Sequence, residues 1–264
     1  MNKPPRIVQG SIIPRVEVDQ QPTQLERELV WKKKRSTRIT SSCISKLNAG
    51  GRGAANVFGK TAMSYISMIV TQIKEGDLME ETDRGTIWQM QFGTDNEPLA
   101  INWMRENFME EVKSGTTDFG DILFMCPNEY FGDSPDGLVY NNDELLGWAE
   151  IKCPANKMKA CTLTDGTQKL EDVIDEYKDQ FIGHFIGNPE CDFGYYVIYN
   201  AHVNALTGEP YDRGVRFVLD RKDYATEIEA TEAKIERVYA FIKLCVAGLQ
   251  KVENINAWWA VEAT

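Results

Sequence analysis

Apolar positions along the chain alternate between two periods, and the switch points predict its elements. Leu138, Val139 and Tyr140 read as a strand, Asn141 to Asp143 as a reversing turn, and Leu145 to Cys153 as the return strand of a hairpin. A period of two places Glu150 and Lys152 on one face, with Ile151 on the other. Trp148, Ala149, Ile151 and Cys153 mark this as a buried strand, where charges are costly unless paired or metal-bound. Residues 119–126, FGDILFMC, read as the first core strand, and 193–201 and 214–221 as later ones. Helical spacing predicts a helix from Thr23, its N-cap, with Glu26 at the capping-box position. Further helices are expected over 61–74, 84–108, 170–186 and 224–249, with Pro98 marking a kink or a new start within the second of these. In the last, Ile228, Ile235, Ile242 and Leu249 stand seven apart with Val238 and Cys245 beside them, a stripe expected to pack on the sheet. The fold class expected is α/β (α+β): a central mixed β-sheet flanked by helices.

The chain's 264 residues, 42% of them hydrophobic, are enough for one sizeable core. The expected organisation is an extended arm over 1–22, a single domain over 23–250 and a tail over 251–264 that carries Trp258 and Trp259. The arm is punctuated by Pro4, Pro5, Pro14 and Pro22, yet contains Ile12, Ile13 and Val16. No stretch approaches the roughly 20 apolar residues of a membrane span, and MNKPPRIVQG lacks a signal-peptide core, so a cytosolic protein is expected. The six cysteines form no CxxC pair, which argues against a zinc ribbon and fits reduced thiols. A net charge of −11 argues against coating a polyanion. The distribution changes that picture. Lys32, Lys33, Lys34, Arg35 and Arg38 lie together with no acid among residues 31–42, so the remainder carries −16. A local basic site on an acidic body favours binding in a confined channel.

The candidate chemistry centres on residues 131–154, FGDSPDGLVYNNDELLGWAEIKCP. Asp136 sits in a tight SPDG turn at the mouth of the hairpin, from which it can converge with Glu150 and Lys152. Two carboxylates suit a hard cation such as Mg²⁺, with the Ile151 carbonyl as a further oxygen ligand. Such an ion lowers the pKa of its water and stabilises charge on a phosphate, while Lys152 orients the attacking water. An acidic surface hairpin with one exposed lysine is the plain alternative, weakened by the apolar run around Glu150. In RSTRITSS, Arg35, Ser42 and Thr40 can offer a guanidinium fork, hydroxyls and backbone N–H groups to one phosphate; a basic helix end followed by a Ser/Thr cap is the competing reading. The glycine-rich NAGGRGAAN segment, 48–56, does not fit a nucleotide P-loop and reads as a linker or a mobile contact loop carrying Arg52. Lys157 and Lys159 are further candidates for backbone contact.

SPDGL followed by an E-x-K-C-P strand resembles the phage lambda exonuclease group, the YqaJ-like viral recombinases of the PD-(D/E)xK nuclease superfamily. The hairpin between Asp136 and Glu150 is slightly longer than expected for that group. The resemblance runs from about residue 31 to 245 and implies roles for each matching position. Asp136 and Glu150 would bind metal together with the Ile151 carbonyl, and Lys152 would activate water. Gly93 and Glu97 match a G-x-x-x-E helix whose glutamate lies beside the metal, and Tyr177 and Gln180 match a Y-x-x-Q pattern with a catalytic-site glutamine. Arg35 and Ser42 fall at the pocket for a DNA 5′-phosphate, with Ser134 as a further substrate contact. His184, on the Gln180 face, stands where many relatives have a tyrosine and reads as a partly buried hydrogen-bonding histidine.

The resemblance further implies a PD-(D/E)xK fold and a Mg²⁺ cofactor, with Mn²⁺ as a substitute and two metal positions. It implies 5′-to-3′ digestion of duplex DNA from 5′-phosphorylated ends, a single-strand annealing protein as partner, and a ring-shaped homotrimer. Two alternatives stay open. An endonuclease or single-strand nuclease would keep the metal residues without needing Arg35 and Ser42, and would cut a closed circle or a single strand. A noncatalytic DNA-end-binding module would be expected to have lost a metal or lysine position, whereas all are present.

Overall fold

In the computed structural model the described residues are 22–52, 56–78, 87–116, 122–168 and 171–262. The expected arm over 1–21 lies outside them. Thr23 caps the first helix as its sequence predicts: its hydroxyl accepts the Glu26 N–H, and the Glu26 carboxylate accepts the Thr23 N–H in return. The elements in chain order are α1 (Gln24–Ser36), β1 (Ile39–Thr40), α2 (Ile44–Asn48), α3 (Lys60–Glu75), α4 (Ile87–Asn107), β2 (Glu111–Ser114), β3 (Phe131–Gly132), β4 (Gly137–Asn141), β5 (Glu144–Lys152), α5 (Lys157–Thr164), α6 (Glu171–Gly187), β6 (Phe193–Asn200), β7 (Arg213–Asp220), α7 (Ala225–Val246) and α8 (Ile255–Glu262).

The foreseen hairpin is the centre of a five-stranded sheet of order β2-β4-β5-β6-β7. Only β5 and β6 run parallel, because α5 and α6 cross over between them; the other neighbours are antiparallel, so the sheet is mixed as expected. Asn142 and Asp143 make the tight turn with φ of 48° and 67°, a left-handed conformation that short polar side chains tolerate. Alternation along β5 gives each face its own core. Trp148, with Tyr196, Ile198 and Leu219 from the neighbouring strands, faces the layer that includes α3, α6 and α7. Ala149, Ile151 and Cys153, with Tyr195, Val197 and Tyr199, face Ala100, Ile101 and Met104 of α4.

Some expectations need correction. Residues 122–126 form no strand and make only isolated bridges to Thr116 and Asp133, and 119–121 lie outside the described residues. The outer strand is instead β2, whose sequence EVKS is too short and polar to stand out because it runs along a sheet edge with only Val112 buried. Pro98 does not break α4; it is exposed, so the carbonyl it leaves unpaired faces solvent. The expected start of that helix at Arg84–Thr86 lies outside the described residues. The α7 stripe packs against α3 and α6 within the core that also holds Trp148, Tyr196 and Leu219 of the sheet, whereas Leu249, beyond the helix end, is 71% exposed. At the end of the chain Trp258 packs on Phe241 and Trp259 stands edge-on to Phe58.

A second, minimal ladder positions the chemistry. β1 pairs in parallel with β3, Ile39 opposite Phe131 and Thr40 opposite Gly132. Just past this ladder the chain turns at Ser41–Cys43, and the Ser41 hydroxyl meets the Asp133 carboxylate. The helix α6 closes over both segments through two glycines one turn apart. A Cβ on Gly183 would lie 2.6 Å from the Ser41 Cα, and one on Gly187 would lie 2.3 Å from the Asp133 Cβ.

Candidate active site

The β4–β5 hairpin brings Asp136, Glu150 and Lys152 together. Asp136, at the entry to β4, accepts the Ile151 N–H at 2.8 Å through Oδ2, which ties it to the strand that carries Glu150. Glu150 is 3% exposed and is met by Lys152 from its own face of β5. One turn of α6 supplies two more partners: Gln180 donates to Glu150 Oε1 at 2.7 Å, and His184 Nε2 lies 2.9 Å from Oε2. The foreseen spacing of Tyr177, Gln180 and His184 is realised, since the Lys152 ammonium also sits over the Tyr177 ring at 5.1 Å. Glu97 enters from the other side of the sheet, in the same α4 stripe as Ala100 and Ile101.

The electrostatics follow from crowding three carboxylates around one lysine. Burial, then the charges of Glu150 and Glu97, lift Asp136 well above the ordinary carboxylate range against the pull of Lys152 and the Ile151 N–H. Burial and the Glu150 charge raise Glu97 to about 7. Burial would also raise Glu150, but Lys152 and His184 outweigh it and hold this carboxylate at about 2. Lys152 is likewise held cationic, its burial outweighed by Glu150 and Asp136.

This donor set fits a divalent cation. No three His, Cys, Asp or Glu side chains form a ready-made cage among the described residues. Mg²⁺ does not require one, since it binds through one or two carboxylates and keeps several waters. Like-charged carboxylates held together, two of them raised by burial and then by their neighbours' charge, are what a cation would relieve.

The residues expected to form a phosphate pocket also lie together. Arg35 donates to Ser42 Oγ at 3.0 Å, and Thr40 Oγ1 lies 3.5 Å from the same oxygen. Trp31, which sequence reading missed, joins this pocket to the hairpin: its ring lies under the Arg35 guanidinium at 4.4 Å, and its Nε1–H donates to Ser134 Oγ at 2.9 Å. Position Trp31 four before Arg35 on a helix is the signal that could have found it. Other candidates stay apart from the site. Arg52 lines a separate surface recess of about 500 Å³ with Lys60 and Asn256, Lys157 bonds the Val203 carbonyl, and Lys159 reaches Glu176 at 3.8 Å.

Sequence reading placed His184 on the Gln180 face but missed its partner Asp133 and Asn188 behind it. His184 is fully buried rather than partly, and its Nδ1 lies 2.9 and 3.0 Å from the two oxygens of Asp133. Burial opposes its charge, but Asp133 and Glu150 raise it to about 10. Asp133 also receives Asn188 at 2.7 Å and the Ser41 hydroxyl. A histidine and an asparagine at one-turn steps beyond Gln180 were the available signal.

The mixed sheet, its crossover helices and the Asp136/Glu150/Lys152 hairpin define a fold of the PD-(D/E)xK class. The chain belongs to the YqaJ-like viral recombinase domain family, whose model matches residues 30–185. No curated protein matches it. Among solved structures it is similar to an alkaline exonuclease from Laribacter hongkongensis, at 21% identity and a TM-score of 0.54 over 84% of this chain and 100% of that one. A complex of that exonuclease with dAMP matches at 20% identity and a TM-score of 0.55, over the same shares of the two chains. A phage-related exonuclease from Haemophilus somnus 129PT matches at 13% identity and 0.56, covering 81% of this chain and 96% of that one. Among the described residues no helix is long and apolar enough to cross a membrane.

Proposed function

We propose that this protein is a divalent-metal-dependent exonuclease that degrades the 5′-terminated strand of duplex DNA from 5′-phosphorylated ends and leaves a 3′ single strand. The observation that carries this reading is the convergence of Asp136, Glu150, Lys152 and Gln180 on one site, with the Arg35–Ser42 pair joined to the same hairpin through Trp31 and Ser134. Family membership and the exonuclease neighbours support it.

Asp136, Glu150 and the Ile151 carbonyl would hold Mg²⁺, with Mn²⁺ as a substitute and Glu97 at the edge of a second position. When bound, the ion supplies a more acidic water and neutralises charge on the phosphate under attack. Lys152, held cationic, orients the attacking water and faces the charge that builds on the phosphate oxygens. Gln180 fixes the Glu150 oxygen that it shares with Lys152. Arg35 and Ser42 grip the terminal 5′-phosphate, while Ser134 positions the strand at the hairpin. Breaking the bond between phosphorus and the 3′-oxygen of the first nucleotide leaves a new 5′-phosphate on the second, which refills the same pocket. A ring of three chains around DNA, and transfer of the 3′ strand to an annealing protein, belong to the proposal by family likeness.

Digestion of matched linear duplexes, 5′-phosphorylated or 5′-hydroxyl, with Mg²⁺ or EDTA and beside a closed circle, tests it. Metal-dependent loss of the phosphorylated linear DNA is expected. Cutting of the circle would instead indicate an endonuclease, and no cutting a binding module.

A further inference from the structure

The two Glu150 oxygens have different surroundings. Oε1 meets Lys152 and Gln180 on the side where substrate chemistry would occur, whereas Oε2 meets His184 alone among the described residues. Behind His184 stands Asp133, and both are fully buried. An imidazole with a carboxylate at each nitrogen satisfies both only by donating from both. Asp133 in turn receives Ser41 and Asn188, so each of its oxygens has two donors. The ring lies against Trp148, 4.7 Å between centroids, and Gly183 and Gly187 bring α6 close enough for it to reach both carboxylates.

A buried aspartate costs stability relative to an apolar residue of similar size unless its charge is used. Asp133 meets neither Lys152 nor the phosphate pocket. Among the described residues its carboxylate bonds His184, which leads to Glu150, Ser41, which is next to the pocket residue Ser42, and Asn188.

We propose that Asp133, acting through His184, is a positioning residue: the buried relay of Ser41, Asp133 and His184 pins Glu150 Oε2 and so presents Oε1 to Lys152, Gln180 and the divalent cation. This rests on the nuclease reading above and specifies how its metal carboxylate is held. Outer partners of metal ligands govern affinity as well as rate, because an unsupported carboxylate spends its time in other rotamers.

The test uses the full chain as wild type, Asp133→Asn and Ser41→Ala. Mn²⁺ binding is followed by calorimetry, and kcat and KM are measured on a 5′-phosphorylated duplex. In Asp133→Asn the Mn²⁺ Kd is expected to rise about 10- to 100-fold and kcat to fall at least tenfold, with KM for DNA within about twofold. Ser41→Ala, which keeps the Asp133–His184 pair, is expected to weaken Mn²⁺ by roughly threefold. A folded Asp133→Asn chain with a lower Tm but wild-type Mn²⁺ affinity and kcat would make the relay merely structural and overturn the proposal. Should Asp133→Asn not fold, wild-type Mn²⁺ affinity in Ser41→Ala overturns it instead. A wild-type chain that neither binds Mn²⁺ nor cuts DNA refutes the nuclease reading itself.

Discussion

At the scale of single residues, the site sets the carboxylates of Glu97, Asp136 and Glu150 around the single ammonium group of Lys152. Glu150 is held ionised by Lys152 and His184, so Glu150→Gln should unbalance the cluster, and Lys152→Ala should remove the group that meets the phosphate charge. Each is expected to lower kcat by about 10²–10⁴ while far-ultraviolet circular dichroism stays unchanged; wild-type rates in folded variants would remove both residues from the chemistry. Glu97 gives a prediction with a definite sign. Its folded value of about 7 lies above the ordinary carboxylate value, so the folded chain binds the extra proton and loses stability as pH rises toward 7. In EDTA, Glu97→Gln mimics the protonated form. It should therefore match wild type in thermal melts only near pH 4, below the ordinary carboxylate value, and exceed it by roughly 1–3 kcal/mol at pH 8. With Mg²⁺ present the advantage should shrink, since the ion competes with that proton. Glu150 and Lys152 were legible in the sequence because a period-two strand fixes which side chains share a face. Asp133 was not, since nothing local to FGDSPDG says that a helix fifty residues on will cover it.

Elements make their own demands. Glycine weakens a helix by up to about 1 kcal/mol relative to alanine, yet α6 carries two where it crosses Ser41 and Asp133. Gly183→Ala would set a methyl group against the Ser41 backbone and should destabilise the chain by about 1–3 kcal/mol in a urea titration. Gly93→Ala in α4 meets nothing within 4 Å and should be neutral or stabilising by up to about 1 kcal/mol. Equal effects at the two positions would show that α6 does not need this close approach. Both glycines look alike in sequence, because propensity is local while crowding comes from another element. The same reason explains β2: an edge strand needs only its backbone and one buried valine, so EVKS carries little pattern. Pro98 starts no new helix, its exposed position making the lost hydrogen bond tolerable within α4.

For the whole molecule the question is how a chain of net charge −11 engages a polyanion. The basic cluster of Lys32, Lys33, Lys34, Arg35 and Arg38 sits at the end of α1, which the Trp31–Ser134 bond fastens to the hairpin. Binding should then depend on few phosphate contacts. For the Lys152→Ala variant, log Kd against log salt is expected to have a slope no steeper than about 5, at roughly 0.9 per neutralised phosphate. Fluorescence anisotropy on a labelled duplex measures it, and a much steeper slope would point to a broad basic surface instead of a confined one.

The sequence by itself determined the hairpin, its turn, the shared face of Glu150 and Lys152, the Thr23 cap, and the α6 face bearing Tyr177, Gln180 and His184. These depend on backbone periods and on side chains a few residues apart. The tertiary structure alone decided the neighbours across elements: Trp31 on Ser134, Ser41 on Asp133, His184 between Asp133 and Glu150, and α3 and α6 beside the α7 stripe. Such pairings arise from how faces are buried against one another, and a stripe or a polar side chain records that it will be covered without recording by what.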